Sequence, residues 1–116
     1  MTIVYGIPNC SSVKKARAWL DAQGIAYQFH DFKKQGIDGA RLTRWIDACG
    51  MERVLNRKGT TWRALSDSQR AGADTPSGAI ALMQAHPSLI KRPVIEQAEH
   101  TVLGYDEARY GEVFGQ

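Results

Sequence analysis

The chain has 116 residues, which is close to the about 100–150 residues at which single domains are most common. Hydrophobic residues make up 43% and charged residues 23% of the sequence, and these fractions argue against a disordered or fibrous protein. No apolar run approaches the about 18 residues that a membrane span needs. Residues 1–6 lack the basic start and apolar stretch of a signal peptide. We therefore expect a cytoplasmic protein with no membrane contact.

The charge is unevenly distributed along the chain. The formal net charge is +3, but residues 1–58 hold ten basic and five acidic side chains, whereas residues 59–116 hold five basic and seven acidic ones. A positive field around the first half suits an anionic small molecule or a nucleic-acid backbone. Direct nucleic-acid binding is not expected, because the basic residues do not line one helix or alternate with exposed aromatic residues.

The predicted elements of the first part are, in chain order, a strand at 2–5, a turn at 6–9, a helix over 11–23 that Gly24 ends, and a strand over 25–32. The strands are predicted from β-branched and aromatic residues. The helix is predicted because Val13, Ala16 and Leu20 are spaced at i, i+3 and i+7. Cys10 then lies in the first turn of this helix.

The predicted elements of the rest are a helix from the N-cap Asp38 to Gly50, a basic turn at 56–59, a helix from Thr75-Pro76 towards His86, strands at 94–95 and 101–103 separated by the polar segment 96–100, and a helix from Asp106. Cys49 belongs to the apolar stripe of the helix before Gly50. The order is β-α-β, a helical insert, then β-β-α. We expect a single α/β domain over 1–116, with its core at about 1–35 and 88–116 and its insert at about 36–87.

Cys10 is the residue most suited to chemistry. A thiol reacts as the thiolate, and the amide groups and positive dipole end of a helix N-terminus stabilise that charge, as do nearby cations. Lys14 and Lys15 follow in the next turn, and the neighbouring Ser11 and Ser12 add hydroxyl donors. A packing role for a small buried cysteine is the alternative.

The sequence around Cys10 does not provide a second thiol. Dithiol chemistry needs a cysteine three positions later, and Val13 stands there. A mixed disulfide at Cys10 would then be released by another thiol. Cys49 is the only internal candidate, and its apolar stripe favours core packing. Neither a structural disulfide nor a metal site is expected from two cysteines.

Two arginines are candidate anion ligands. Arg57 lies in the basic turn, and Arg92 precedes Pro93 at the entry of a strand, where a cis peptide bond is plausible. The planar guanidinium group binds carboxylates, phosphates and other oxyanions. A solvated surface position is the alternative for each.

Several motifs together resemble the arsenate reductase (ArsC), Spx and YffB family. They are Tyr5-Gly6-Ile7-Pro8-Asn9-Cys10, Lys14-Lys15-Ala16-Arg17, Leu55-Asn56-Arg57-Lys58-Gly59-Thr60-Thr61-Trp62-Arg63, Ile90-Lys91-Arg92-Pro93-Val94-Ile95 and Leu103-Gly104-Tyr105. The likeness is strongest to the YffB branch. It implies a thioredoxin-like fold interrupted by a helical insert.

The resemblance also implies roles for individual residues. Cys10 corresponds to the catalytic thiol, Arg57 and Arg92 to anion-binding arginines, and Pro93 to a cis-proline beside the active site. Asn9, Ser11 and Ser12, which flank the thiol, are expected to contact the substrate. The sequence departs from the arsenate reductases in having Tyr105 at the third arginine, Gly6 at a histidine and Val13 at a serine.

Three functions follow from the resemblance. The first is a glutathione-dependent thiol reductase that acts on small-molecule or protein disulfides, with no bound cofactor and with glutathione or a glutaredoxin as the recycling partner. The second is an arsenate reductase that uses glutathione and glutaredoxin, which the three departures disfavour. The third is an Spx-like protein that binds RNA polymerase or another protein without catalysis.

Overall fold

The computed structural model describes residues 2–98 and 100–115. Its elements are β1 (Thr2–Gly6), α1 (Ser11–Ala22), β2 (Tyr27–Asp31), α2 (Phe32–Gln35), α3 (Gly39–Cys49), α4 (Met51–Val54), α5 (Thr60–Ala64), α6 (Asp67–Ala71), α7 (Pro76–Ala85), β3 (Val94–Gln97), β4 (His100–Leu103) and α8 (Glu107–Phe114), with short 3₁₀ helices at Gly72–Asp74 and Pro87–Leu89. The chain divides into a first unit, residues 1–35 and 92–116, and a second unit, residues 36–91.

The first unit is a four-stranded mixed sheet with the strand order β2-β1-β3-β4. β1 and β2 are parallel and are joined by α1, whereas β1 with β3 and β3 with β4 are antiparallel. A parallel pair needs a crossover connection, and α1 provides it. This β-α-β and β-β-α arrangement is the thioredoxin-like α/β fold that the sequence predicts.

One face of the sheet carries a core cluster of the first unit. The strand register places Val4 beside Ile95 and Ile95 beside Val102, and these side chains pack with Ala16, Leu20 and Tyr110 from the helices. The burial of apolar surface is the main stabilising term in such a layer, and it contributes about 25 cal/mol for each Å² that is buried. The Tyr110 hydroxyl donates to the carbonyl of Gly104 at 2.6 Å, so its polar end is satisfied inside this core.

The second unit consists of helices and turns. Asp38 begins α3 by accepting a hydrogen bond from the Arg41 amide at 2.7 Å, and Gly50 ends it with a φ of +92°, a region that favours glycine. Thr75 caps α7 by accepting from the Gly78 amide. The predicted helices therefore begin and end where their capping residues stand.

The predicted boundaries of β2, β3 and β4 were wrong. β2 covers Tyr27–Asp31 rather than residues 25–32, because the Asp31 carboxylate accepts from the Lys33 amide at 2.9 Å and starts α2. β3 and β4 extend into the segment that was expected to separate them, and Gln97 pairs with His100. A polar hairpin end can continue a ladder because backbone hydrogen bonds do not require apolar side chains.

Candidate active site

Cys10 is placed at the junction of β1 and α1. Its amide donates to the carbonyl of Ile7 at 3.1 Å and closes a turn through Pro8 and Asn9, and its carbonyl accepts from the Lys14 amide at 3.0 Å. Pro8 at the second position of such a turn presets the required backbone angle. Cys10 is the N-cap residue of α1. Its half-buried thiol is free.

The surroundings of Cys10 favour its thiolate. Burial raises the pKa of the thiol, but the backbone amide of Val13, the side-chain hydrogen bond of Arg92, the amide of Ser12 and the positive charge of Arg92 lower it, and the net pKa lies below its ordinary value. The amides belong to the first turn of α1, where backbone N–H groups have no helical partner. A thiol with a lowered pKa is a nucleophile at neutral pH.

Arg92 reaches the thiol from the start of β3. The Arg92–Pro93 peptide bond is cis, and the Pro93 carbonyl accepts a hydrogen bond from the Gly104 amide at 2.8 Å, which ties this loop to the end of β4. Arg92 is half-buried and Pro93 is buried. The structure therefore brings the cation, the cis-proline and the nucleophile of the sequence prediction into one unit.

The three polar neighbours of Cys10 differ in exposure. Asn9 and Ser11 are exposed, whereas Ser12 is half-buried. Asn9 lies in the turn before the thiol, and both serines lie in the first turn of α1. Their role in substrate binding stays a prediction.

Arg57 lies in the second unit. It is exposed, and its guanidinium carbon lies 5.5 Å from the ring centroid of Trp62, a cation–π contact that restricts the side chain. The preceding turn is fixed by Asn56, whose side-chain oxygen accepts from the Lys58 amide at 3.1 Å. The structure thus shows how Arg57 is held, and its proposed role towards substrate stays a prediction.

A steric constraint between Gly6 and Val13 could not be read from the sequence. A Cβ atom added to Gly6 would lie 2.7 Å from Cγ2 of Val13, and Val13 is completely buried. Gly6 and Val13 are two of the positions at which the sequence departs from the arsenate reductases. A side chain at position 6 would therefore overlap the side chain of Val13. The sequence offers no signal of this constraint beyond the closeness of both residues to Cys10.

Two further properties concern the part of the chain that the structure describes. No helix there is long and apolar enough to cross a membrane. No group of three or more histidine, cysteine, aspartate or glutamate side chains there could hold a metal ion.

Comparison with known proteins identifies the family. A family model described as ArsC family matches residues 5–113. The chain belongs to the ArsC family. A solved structure of a YffB protein is 46% identical, with a TM-score of 0.92 over 97% of this chain and 98% of the other. An uncharacterised protein of Haemophilus influenzae is 36% identical over 98% of this chain and 99% of its own length. The global transcriptional regulator Spx of Lactiplantibacillus plantarum is 26% identical over 92% of this chain and 81% of its own.

These relatives confirm the family resemblance and the thioredoxin-like fold predicted from the motifs. The similarity to the YffB structure covers nearly the whole chain, so it includes both the Cys10 site and the helical unit. The fold alone does not choose between catalysis and binding, because one fold can host several functions. Whether the chain is a catalyst or a binding protein depends on the chemistry around Cys10.

Proposed function

We propose that this ArsC-family protein is a glutathione-dependent thiol–disulfide reductase in which Cys10 is the single nucleophile. The observation that carries the proposal is the lowered pKa of the Cys10 thiol at the N-terminus of α1, beside Arg92. A thiolate held by amides and a guanidinium group can attack a disulfide without a separate base.

In the first step, the Cys10 thiolate attacks the glutathione sulfur of a mixed disulfide. The substrate's sulfur–sulfur bond breaks, a Cys10–glutathione disulfide forms, and the substrate leaves as a thiolate that takes a proton from solvent. The amides of Ser12 and Val13 stabilise the attacking charge, and they stabilise the same charge again when Cys10 is released.

In the second step, a glutathione thiolate attacks the glutathione sulfur of the Cys10 mixed disulfide. Glutathione disulfide forms, and Cys10 leaves as a thiolate. The sum converts one mixed disulfide and one glutathione into the substrate thiol and glutathione disulfide. An external thiol is required because Val13 occupies the place of a resolving cysteine. A glutaredoxin is the alternative donor.

The arginines have separate roles in this proposal. Arg92 stabilises the Cys10 thiolate, and in this proposal it also binds a glutathione carboxylate. Arg57, held by Trp62, binds a second carboxylate, as the family resemblance implies. Guanidinium groups suit this task because their planar donors match a carboxylate in pairs.

The test measures the rate at which the full chain reduces a glutathionylated peptide with glutathione. The glutathione disulfide that forms is followed by coupling it to a second reaction that reduces it. We expect Cys10→Ser to abolish turnover and Cys49→Ser, the matched loss of the other thiol, to retain it. If the Cys10→Ser variant still reduced the glutathionylated peptide, the proposal would be refuted. Arsenate supplied in place of the peptide tests the arsenate reductase alternative, for which Tyr105 and Gly6 predict no activity.

A non-catalytic binding role is the second candidate, because Spx regulators are among the relatives. In this case the chain binds RNA polymerase or another protein without catalysis. Retention of purified RNA polymerase by the immobilised chain at physiological salt, together with no turnover of glutathionylated peptide, would favour this role. Turnover without polymerase binding favours the reductase.

A further inference from the structure

A surface groove lies in the first unit between the C-terminal half of α1 and β2. Its volume is about 390 Å³, and it is lined by Arg17, Asp21, Ile25, Ala26, Tyr27 and Phe29. None of these residues belongs to the Cys10 site, and the proposed reductase reaction uses none of them. The size falls within the range of about 300–1,000 Å³ that is usual for ligand sites.

Arg17 contacts two aromatic rings and a hydroxyl group in this groove. Its guanidinium carbon lies 4.2 Å from the ring centroid of Phe29 and 5.8 Å from that of Tyr27, and its Nε donates to the Tyr27 hydroxyl at 3.0 Å. Among residues 2–98 and 100–115, the two terminal amino groups of Arg17 form no hydrogen bond or ion pair. The fixed guanidinium therefore keeps donors that match a carboxylate in geometry and charge.

The strand that forms one wall of the groove is an edge strand. β2 is terminal in the strand order and, among the residues that the structure describes, pairs only with β1. Tyr27 and Phe29, two positions apart, line the groove, while Gln28 between them is exposed. A peptide that pairs with the outer edge of β2 would place every second side chain over the groove, because side chains alternate along a strand.

The charges of the groove indicate the sequence of such a peptide. Asp21 follows Arg17 by four positions on α1, about 6 Å along the helix axis, and forms no ion pair within the described ranges. Side chains two positions apart on a strand are separated by about 6.6 Å. An acidic and a basic side chain at that spacing therefore match Arg17 and Asp21 together.

We propose that the groove binds an extended segment of a partner polypeptide that adds to the outer edge of β2. The segment carries an acidic side chain, which pairs with Arg17, and a basic side chain two residues away, which pairs with Asp21. This interaction is independent of thiol chemistry at Cys10.

The test is a nuclear magnetic resonance titration of the full isotope-labelled chain with two blocked peptides. One has the order threonine, glutamate, valine, lysine, threonine, and the other has glutamate and lysine exchanged, so that both directions of the added strand are sampled. We expect one peptide to shift the amides of residues 25–31 and the Nε signal of Arg17, with little effect on residues 7–13.

The variants separate a charge effect from a change in the fold. Arg17→Gln should weaken binding about tenfold, since a charge-assisted pair is lost. Tyr27→Phe should weaken it about threefold, because it removes only the hydroxyl that orients Arg17. Arg109→Gln is the matched control, with the same charge change on α8, where Arg109 pairs with Glu112. It should bind like the parent chain.

Three results would overturn the proposal. The first is that neither peptide shifts residues 25–31. The second is that replacing the peptide glutamate by glutamine leaves the affinity unchanged. The third is that N-acetylglutamate alone binds as tightly as the peptide, which would mean that the strand edge contributes nothing. Circular dichroism of Arg17→Gln and Tyr27→Phe shows whether either variant has lost the fold.

Discussion

The contact between Gly6 and Val13 predicts that these two positions are energetically coupled. A methyl group at Gly6 would lie 2.7 Å from Val13 Cγ2 and 3.5 Å from Cγ1, whereas carbon atoms in contact are normally about 3.5–4.0 Å apart. Val13 lies within α1, where its branched side chain has one strongly preferred rotamer. It therefore cannot rotate away, and either the strand or the helix must move by about 1 Å.

The magnitudes follow from that geometry. Gly6→Ala should lower the free energy of unfolding by about 1–3 kcal/mol, the usual cost of overpacking a core. Val13→Ala should lower it by about 2 kcal/mol, because it removes completely buried methyl groups. In the double variant the alanine at position 6 fills the vacated space. The loss should then be smaller than the sum of the single losses by about 1–3 kcal/mol.

Urea denaturation of the parent chain, both single variants and the double variant, followed by tryptophan fluorescence and circular dichroism, measures this coupling. Leu42→Ala provides the control, because it lies in the second unit and its effect should add to that of Gly6→Ala. Free energies of Gly6→Ala and Val13→Ala that add within about 0.5 kcal/mol would refute the reasoning. A histidine at position 6 would likewise require a smaller side chain at position 13.

Three further variants test separate parts of the account. Arg92→Gln should raise the pKa of the Cys10 thiol, because a hydrogen bond and a positive charge that favour the thiolate are lost; the rate of alkylation at neutral pH should fall, and an unchanged pH profile would contradict the assigned contact. Tyr110→Phe should lower the free energy of unfolding by about 1–3 kcal/mol, since the Gly104 carbonyl loses its buried donor; equal urea midpoints would show that this hydrogen bond contributes nothing. Thr75→Ala should cost about 1 kcal/mol by removing the cap of α7, and Thr75→Ser should restore most of it.

Local signals determined most of the elements that the sequence could predict. Asp38, Thr75 and Asp106 each accept a hydrogen bond from a backbone amide at the start of a helix, and Gly50 ends α3 with a left-handed backbone angle. Such residues act within one turn of their own position. Their effect is therefore visible in the order of residues without knowledge of the tertiary structure.

The strand ends depended on pairing that sequence patterns do not contain. The extension of β3 and β4 to Gln97 and His100 follows from hydrogen bonds between the strands, and the polar side chains of this hairpin give no alternation to detect. The end of β2 follows from the carboxylate of Asp31, which caps the next helix. In both cases backbone hydrogen bonding outweighed the pattern of side chains.

The candidate site combines a local and a nonlocal part. The position of Cys10 at the start of α1 follows from the strand, turn and helix signals beside it. The contact with Arg92 depends on the antiparallel pairing of β1 with β3, and only the family resemblance suggested it in advance. The contact of Gly6 with Val13 required the coordinates, because a distance between side chains is not encoded in spacing.

The central claim is that Cys10 is a stabilised thiolate that glutathione can reach. The most direct measurement is the pH dependence of Cys10 alkylation in Cys49→Ser protein, with and without millimolar glutathione disulfide, and with urea-unfolded protein as the reference. We predict a pKa below that of the unfolded thiol. We also predict that a mixed disulfide protects Cys10 from alkylation and that added glutathione reverses this protection. A folded-state pKa equal to or above the unfolded one, with no protection, would contradict the account.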